Sequence, residues 1–63
     1  MAELSPTDLQ KALKGMDYPT DKRHLVERAR NNHADEKVVR TLDGLKEDRF
    51  DGPNEVQKAV FNQ

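Results

Sequence analysis

Ser5-Pro6-Thr7-Asp8-Leu9-Gln10-Lys11-Ala12-Leu13 decides the fold, because its chemistry recurs at Gly52-Pro53-Asn54-Glu55-Val56-Gln57-Lys58-Ala59-Val60. Each copy reads as the start of a short amphipathic helix. Ser5 is a good N-cap, Pro6 suits the first helical position, and Asp8 stands three residues after the cap. Leu4 and Leu9 have the spacing of a hydrophobic staple. Leu9, Ala12, Leu13 and Met16 then recur at helical spacing as one apolar stripe. In the second copy Gly52 replaces Ser5, Pro53 and Glu55 keep their places, and Val56, Ala59 and Val60 repeat the stripe. Its staple differs, with Asp51 where Leu4 would be and Phe50 one residue earlier. Phe61 falls off the stripe and is expected to cover a neighbouring helix or to fray.

Between the copies the chain alternates stripes and breaks. Gly15 is a natural helix terminator, and Pro19 disfavours helix at Tyr18, so Asp17-Tyr18-Pro19-Thr20 is a connector. The Tyr18 ring is expected to pack over a helix end rather than to bind anything. A second helix follows, capped by Thr20 or Asp21, with a thin apolar face of Leu25, Val26 and Ala29. Asn31-Asn32-His33 ends it. A third helix opens with Asp35 and Glu36 at the positive end of its dipole. Its stripe is Val38, Val39, Leu42 and Leu45, and Gly44 marks its stop. Lys46-Glu47-Asp48-Arg49 reads as a solvated loop anchored by Phe50. No segment sustains period-two alternation, so no strands are expected. The predicted fold is an all-α, compact bundle of four short helices (6–14, 21–31, 34–43 and 53–61) in a single domain, 1–63. Its first and last helices open with a repeated Pro-x-Asp/Glu-Leu/Val-Gln-Lys-Ala motif.

Composition limits how stable such a domain can be. With 63 residues, one core supplies only about 3–5 kcal/mol of net stability. There is no cysteine, which removes disulfides and thiolate metal sites and fits a reducing compartment. Isoleucine is absent, and the sparse apolar content approaches that of disordered chains, but charges nearly cancel at a net of −1. No apolar run reaches the roughly 20 residues of a membrane span. Acidic Glu3 stands where a signal peptide would be basic. The expected location is the cytoplasm.

Several stretches together carry a family pattern: Ser5-Pro6, Gln10-Lys11-Ala12-Leu13-Lys14-Gly15, Asp17-Tyr18-Pro19, Leu25-Val26, Asn32-His33-Ala34-Asp35-Glu36, and Phe50-Asp51-Gly52-Pro53 with Glu55-Val56. They resemble domain of unknown function family 2795, a family of short bacterial proteins, over nearly the whole chain. The resemblance implies a small bacterial helical domain with no assigned activity, cofactor or catalytic residue. One departure stands out. The family usually has glycine where this chain has His33.

Chemistry-bearing constellations are few. No nucleophile elbow or phosphate-cradling glycine loop is present. The acid pairs Asp35-Glu36 and Glu47-Asp48 are sequence neighbours whose side chains diverge. No enzyme activity, catalytic residue or cofactor is expected. His24 and His33 lie too far apart in sequence to share one helical face, so no metal site is expected either. Nucleic-acid binding is the alternative reading, because the second and third helices have a helix-turn-helix outline. Lys22, Arg23, Arg28 and Arg30 would be its basic face. Against it stand Asp35 and Glu36 on the would-be recognition helix, the net charge, and polar Arg28 and Asn32 at normally apolar places. Protein interaction is favoured, with an unknown partner or a second copy completing the burial of a thin core. Gln10-Lys11 and Gln57-Lys58 join the candidate surface because core packing does not require them. Good helix formers used twice, or duplication, account for the same pairs.

Overall fold

The computed structural model describes residues 4–61, in the order α1 (Pro6–Ala12), β1 (Thr20–Asp21), α2 (Lys22–Asn31), α3 (Glu36–Asp43), β2 (Arg49–Phe50) and α4 (Pro53–Phe61). Glu3 lies outside the described residues. Ser5 and Asp8 form the expected reciprocal capping box: Ser5 Oγ accepts from Asp8 N at 3.2 Å, and Asp8 Oδ2 accepts from Ser5 N at 3.4 Å. Leu4 packs against the core cluster. α1 ends two residues earlier than 6–14. Leu13 is its C-cap, and the chain turns through Gly15 at a φ of 81°, a conformation glycine adopts without a Cβ penalty.

α2 is capped by Asp21, whose carboxylate accepts from His24 N at 2.9 Å. Its far end is a Schellman motif. His33 N donates to Arg30 O at 3.0 Å and Ala34 N to Ala29 O at 2.9 Å, with His33 left-handed at a φ of 59°. Ala34 therefore belongs to the end of α2. α3 starts at Glu36 rather than at residue 34, with Asp35 as its cap.

Asn32, beside that turn, points back at α1. Its Nδ2 donates to Ala12 O at 2.8 Å and to Lys14 O at 3.0 Å. The Ala12 carbonyl left orphaned by the end of α1, and the Lys14 carbonyl in the turn after it, are both satisfied from the C-cap of α2.

The expectation of no strands is corrected. Thr20–Asp21 and Arg49–Phe50 form a two-residue antiparallel ribbon, with Thr20 opposite Phe50 and Asp21 opposite Arg49. Two residues per strand are too few to show alternation, so the sequence pattern carries no trace of it. Arg49 is thus part of the ribbon, and Lys22 N adds a bond to Asp48 O at 3.0 Å.

The core gathers Leu9, Ala12 and Leu13 from α1 and its cap, Leu25 and Ala29 from α2, and Val38, Val39 and Leu42 from α3. Leu45, Phe50 and Val56 complete it. No polar or charged side chain is buried among the described residues. The Cα radius of gyration is 10.2 Å, against ~10.6 Å for a folded chain of this length. The low apolar content thus still closes a core. Phe61, at the end of α4, is 41% exposed.

Two substitutions test this account. His33→Gly removes the cost of a left-handed non-glycine residue, about 1 kcal/mol. In a domain this small that is a rise in Tm of roughly 4–8 °C. An unchanged or lower Tm would refute the strain. At Asn32, Ala loses two hydrogen bonds, roughly 1–3 kcal/mol in total. The near-isosteric Asp also sets a carboxylate against two carbonyl oxygens. Chemical denaturation is expected to rank Asn32→Asp below Asn32→Ala, and the reverse order would exclude the clamp.

Candidate functional site

α1 and α4 leave a shallow groove between them, about 270 Å³ in volume, lined by Leu9, Gln10, Leu13, Tyr18, Pro53, Asn54 and Gln57. Helix geometry explains the lining. Leu9 and Leu13 face the core, so only their edges reach the groove. Gln10 follows Leu9 by about 100° around the helix, which sets it on the groove's margin, whereas Lys11 is turned a further ~100° away. The same step separates Gln57 from Lys58 on α4. Tyr18, expected to pack over a helix end, is partly buried against the core cluster, and it also forms one wall. Burial pushes its hydroxyl pKa up from the usual tyrosine value.

The groove's lining carries no Asp, Glu, Lys, Arg or His, in a chain where such residues abound. Three other grooves differ. One, beside the ribbon, includes Asp17, Asp21, His24, Arg28 and Arg49. A second, along α2 and α3, includes Arg30, His33, Glu36, Arg40 and Asp43. The third, at the corner of α1, includes Asp8, Lys11, Asn32, His33 and Asp35.

The candidate residues therefore separate. Gln10 and Gln57 share one groove. Lys11 faces the corner with Asp8 and Asp35, and Lys58 stands exposed on α4. The basic residues of α2 are dispersed. Lys22 is half-buried, its Nζ donating to Leu45 O at 3.3 Å. Arg28 is half-buried, with Nη1 3.6 Å from where a Cβ on Gly15 would sit. Arg30 opens onto the α2–α3 groove beside Glu36 and Asp43, and Arg23 is exposed. Tyr18, Pro53 and Asn54 were absent from the sequence-based surface. The off-stripe glutamines were the signal that could have led to them.

No group of three or more His, Asp or Glu side chains among the described residues is arranged to hold a metal ion. No helix among them is long and apolar enough to cross a membrane. His24 is engaged locally, its Nδ1 lying 2.6 Å from Asp21 Oδ1.

What the fold and this groove define is a small, mostly helical domain with a groove of uncharged lining between its first and last helices. The chain belongs to the family described as Protein of unknown function (DUF2795), whose model matches residues 4–57. That bears out the resemblance carried by the motifs. No curated protein and no solved structure matches the chain.

Asp21 gives a pH test. The backbone N–H of His24, and then its ring, hold the Asp21 carboxyl below its ordinary value of 3.8. A carboxyl more acidic folded than unfolded adds stability that is whole above about pH 4. That stability is lost as pH falls through the lowered folded value. Asp21→Asn keeps a capping oxygen but does not titrate. The stability advantage of the native chain over this variant, read by urea unfolding, is expected to shrink below about pH 4. An advantage that stays constant into strong acid would refute the assignment.

Proposed function

We propose that the chain is a small non-enzymatic binding module that engages a protein partner through the α1–α4 groove. The observation that carries this reading is the placement of Gln10 and Gln57. They hold the same position in the two copies of the helix-opening motif, and both line the one groove free of Asp, Glu, Lys, Arg and His among the four described. Core packing needs neither glutamine, so a shared surface gives the repetition a use. The shallowness of the site supports a protein partner over a metabolite. The groove of about 270 Å³ is a surface depression, whereas small-molecule sites bury most of their ligand. A protein surface can instead seat one anchoring side chain there and complete its contact on the helices around it. The partner is a different protein or a second copy of this chain, met in the cytoplasm.

Site-specific photo-crosslinking in host cells tests the role. A photoreactive residue replacing Gln57 or Gln10 is expected to trap a protein adduct of defined mass, and the same residue at Lys46 is not. Absence of adducts, or equal trapping at Lys46, would overturn the proposal. Nucleic-acid binding separates in the same series. With the α2 cations dispersed, fluorescence anisotropy against mixed duplex at low salt is expected to stay flat. Micromolar, steeply salt-dependent binding would move the reading to α2.

A further inference from the structure

The groove's chemistry narrows what it can receive, and this narrowing rests on the interaction role proposed above. We infer that its occupant is an uncharged, extended peptide segment. One apolar side chain of that segment meets Leu9, Leu13 and Tyr18, and its main chain is held by the carboxamides of Gln10 and Gln57.

The argument is one of complementarity. An ionised side chain seated in the groove would meet no opposite charge in the lining, so the groove offers it nothing to offset the water it loses there. The three charged grooves described above differ, since both signs are present in the lining of each. A carboxamide carries one acceptor and a pair of donors, which matches the N–H and C=O of a peptide bond. Glutamines from two helices that line one groove can therefore bracket an extended main chain, while Leu9, Leu13 and Tyr18 beside them select the side chain. Gln10 is exposed and Gln57 half-buried, so both amides remain within reach of a ligand. Tyr18 doubles as a reporter. It is the only tyrosine, and there is no tryptophan.

A random-peptide display selection on the whole chain tests the inference. Selected peptides are expected to centre on an apolar residue and to be poor in Asp, Glu, Lys and Arg near it. A selected peptide lacking Tyr and Trp should change Tyr18 emission on binding. Introducing Asp or Lys beside its anchor should weaken binding about tenfold or more, as should Gln57→Lys or Gln10→Lys in the chain. Lys11→Ala and Lys58→Ala should leave affinity unchanged. Circular dichroism shows whether each variant is folded, and the exposed position of Gln10 makes its variant the safer one.

Selection of acidic or basic peptides, or binding that leaves Tyr18 emission untouched, would overturn the inference. An empty selection alongside positive crosslinks at residue 57 would also overturn it and would indicate a folded partner surface. A concentration-dependent dimer in sedimentation, dissociated by Gln10→Lys, would assign the groove to a second copy instead. Absence of crosslinks at residues 10 and 57 counts against the interaction role itself, so the two failures are distinguishable.

Discussion

The Asn32 carboxamide is the tie on which the arrangement of the first three helices depends. From one nitrogen it reaches Ala12 O and Lys14 O, across 20 and 18 residues of sequence. α1 is only seven residues long, too short to hold itself as a helix in water. Its stability has to come from what it touches. Asn32 fixes the end of α1 against the end of α2, while Leu9, Ala12 and Leu13 join Leu25, Ala29 and Val38 in one core. Asn32 can do this because α2 stops beside it. The left-handed His33 turns the chain toward α3, and the Asn32 side chain is left facing α1. Two hydrogen bonds and a backbone conformation at adjacent residues therefore help to place three helices.

Much of this was legible in the residues, where local rules decide the outcome. The Ser5–Asp8 capping box, the Pro6 and Pro53 helix starts, the stripes of α1 and α3, and the burial of Phe50 follow from near-neighbour spacing. The termini of α1 and α3 shifted because the competing structure was also local but weaker in signal. Leu13 caps a tightened last turn, and Ala34 is claimed by the Schellman bonds of α2. What could not be read was long-range. Asn32 looked like a helix-ending residue of ordinary kind, and its two partners lie at the end of α1 and in the turn that follows it. The ribbon was invisible because two paired residues have no period. Lys22 looked like part of a basic face, yet its stem is half-buried and its ammonium group satisfies Leu45 O.

The groove was half legible. Glutamines that packing did not require marked a surface, but only the folded chain shows that Gln10 and Gln57 line the same one. It also divides each Gln-Lys pair, assigning the glutamines to an apolar, uncharged face and the lysines elsewhere. Treating Gln-Lys as a single unit in the sequence obscured that division.

The ribbon has an energetic consequence for how the molecule closes. Joining Thr20 to Phe50 gathers roughly thirty residues of chain, and in a flexible chain that costs about 3 kcal/mol of loop entropy. A ladder two residues long returns no more than that, at about 1 kcal/mol per hydrogen bond. The ribbon cannot draw its ends together unaided. α2 and α3 pack on one another inside that loop, so the ribbon fastens a closure that their packing supports. α4 follows directly from β2. One wall of the groove therefore hangs from that fastening, and the groove has its shape only in a chain whose α2–α3 pair is already in place.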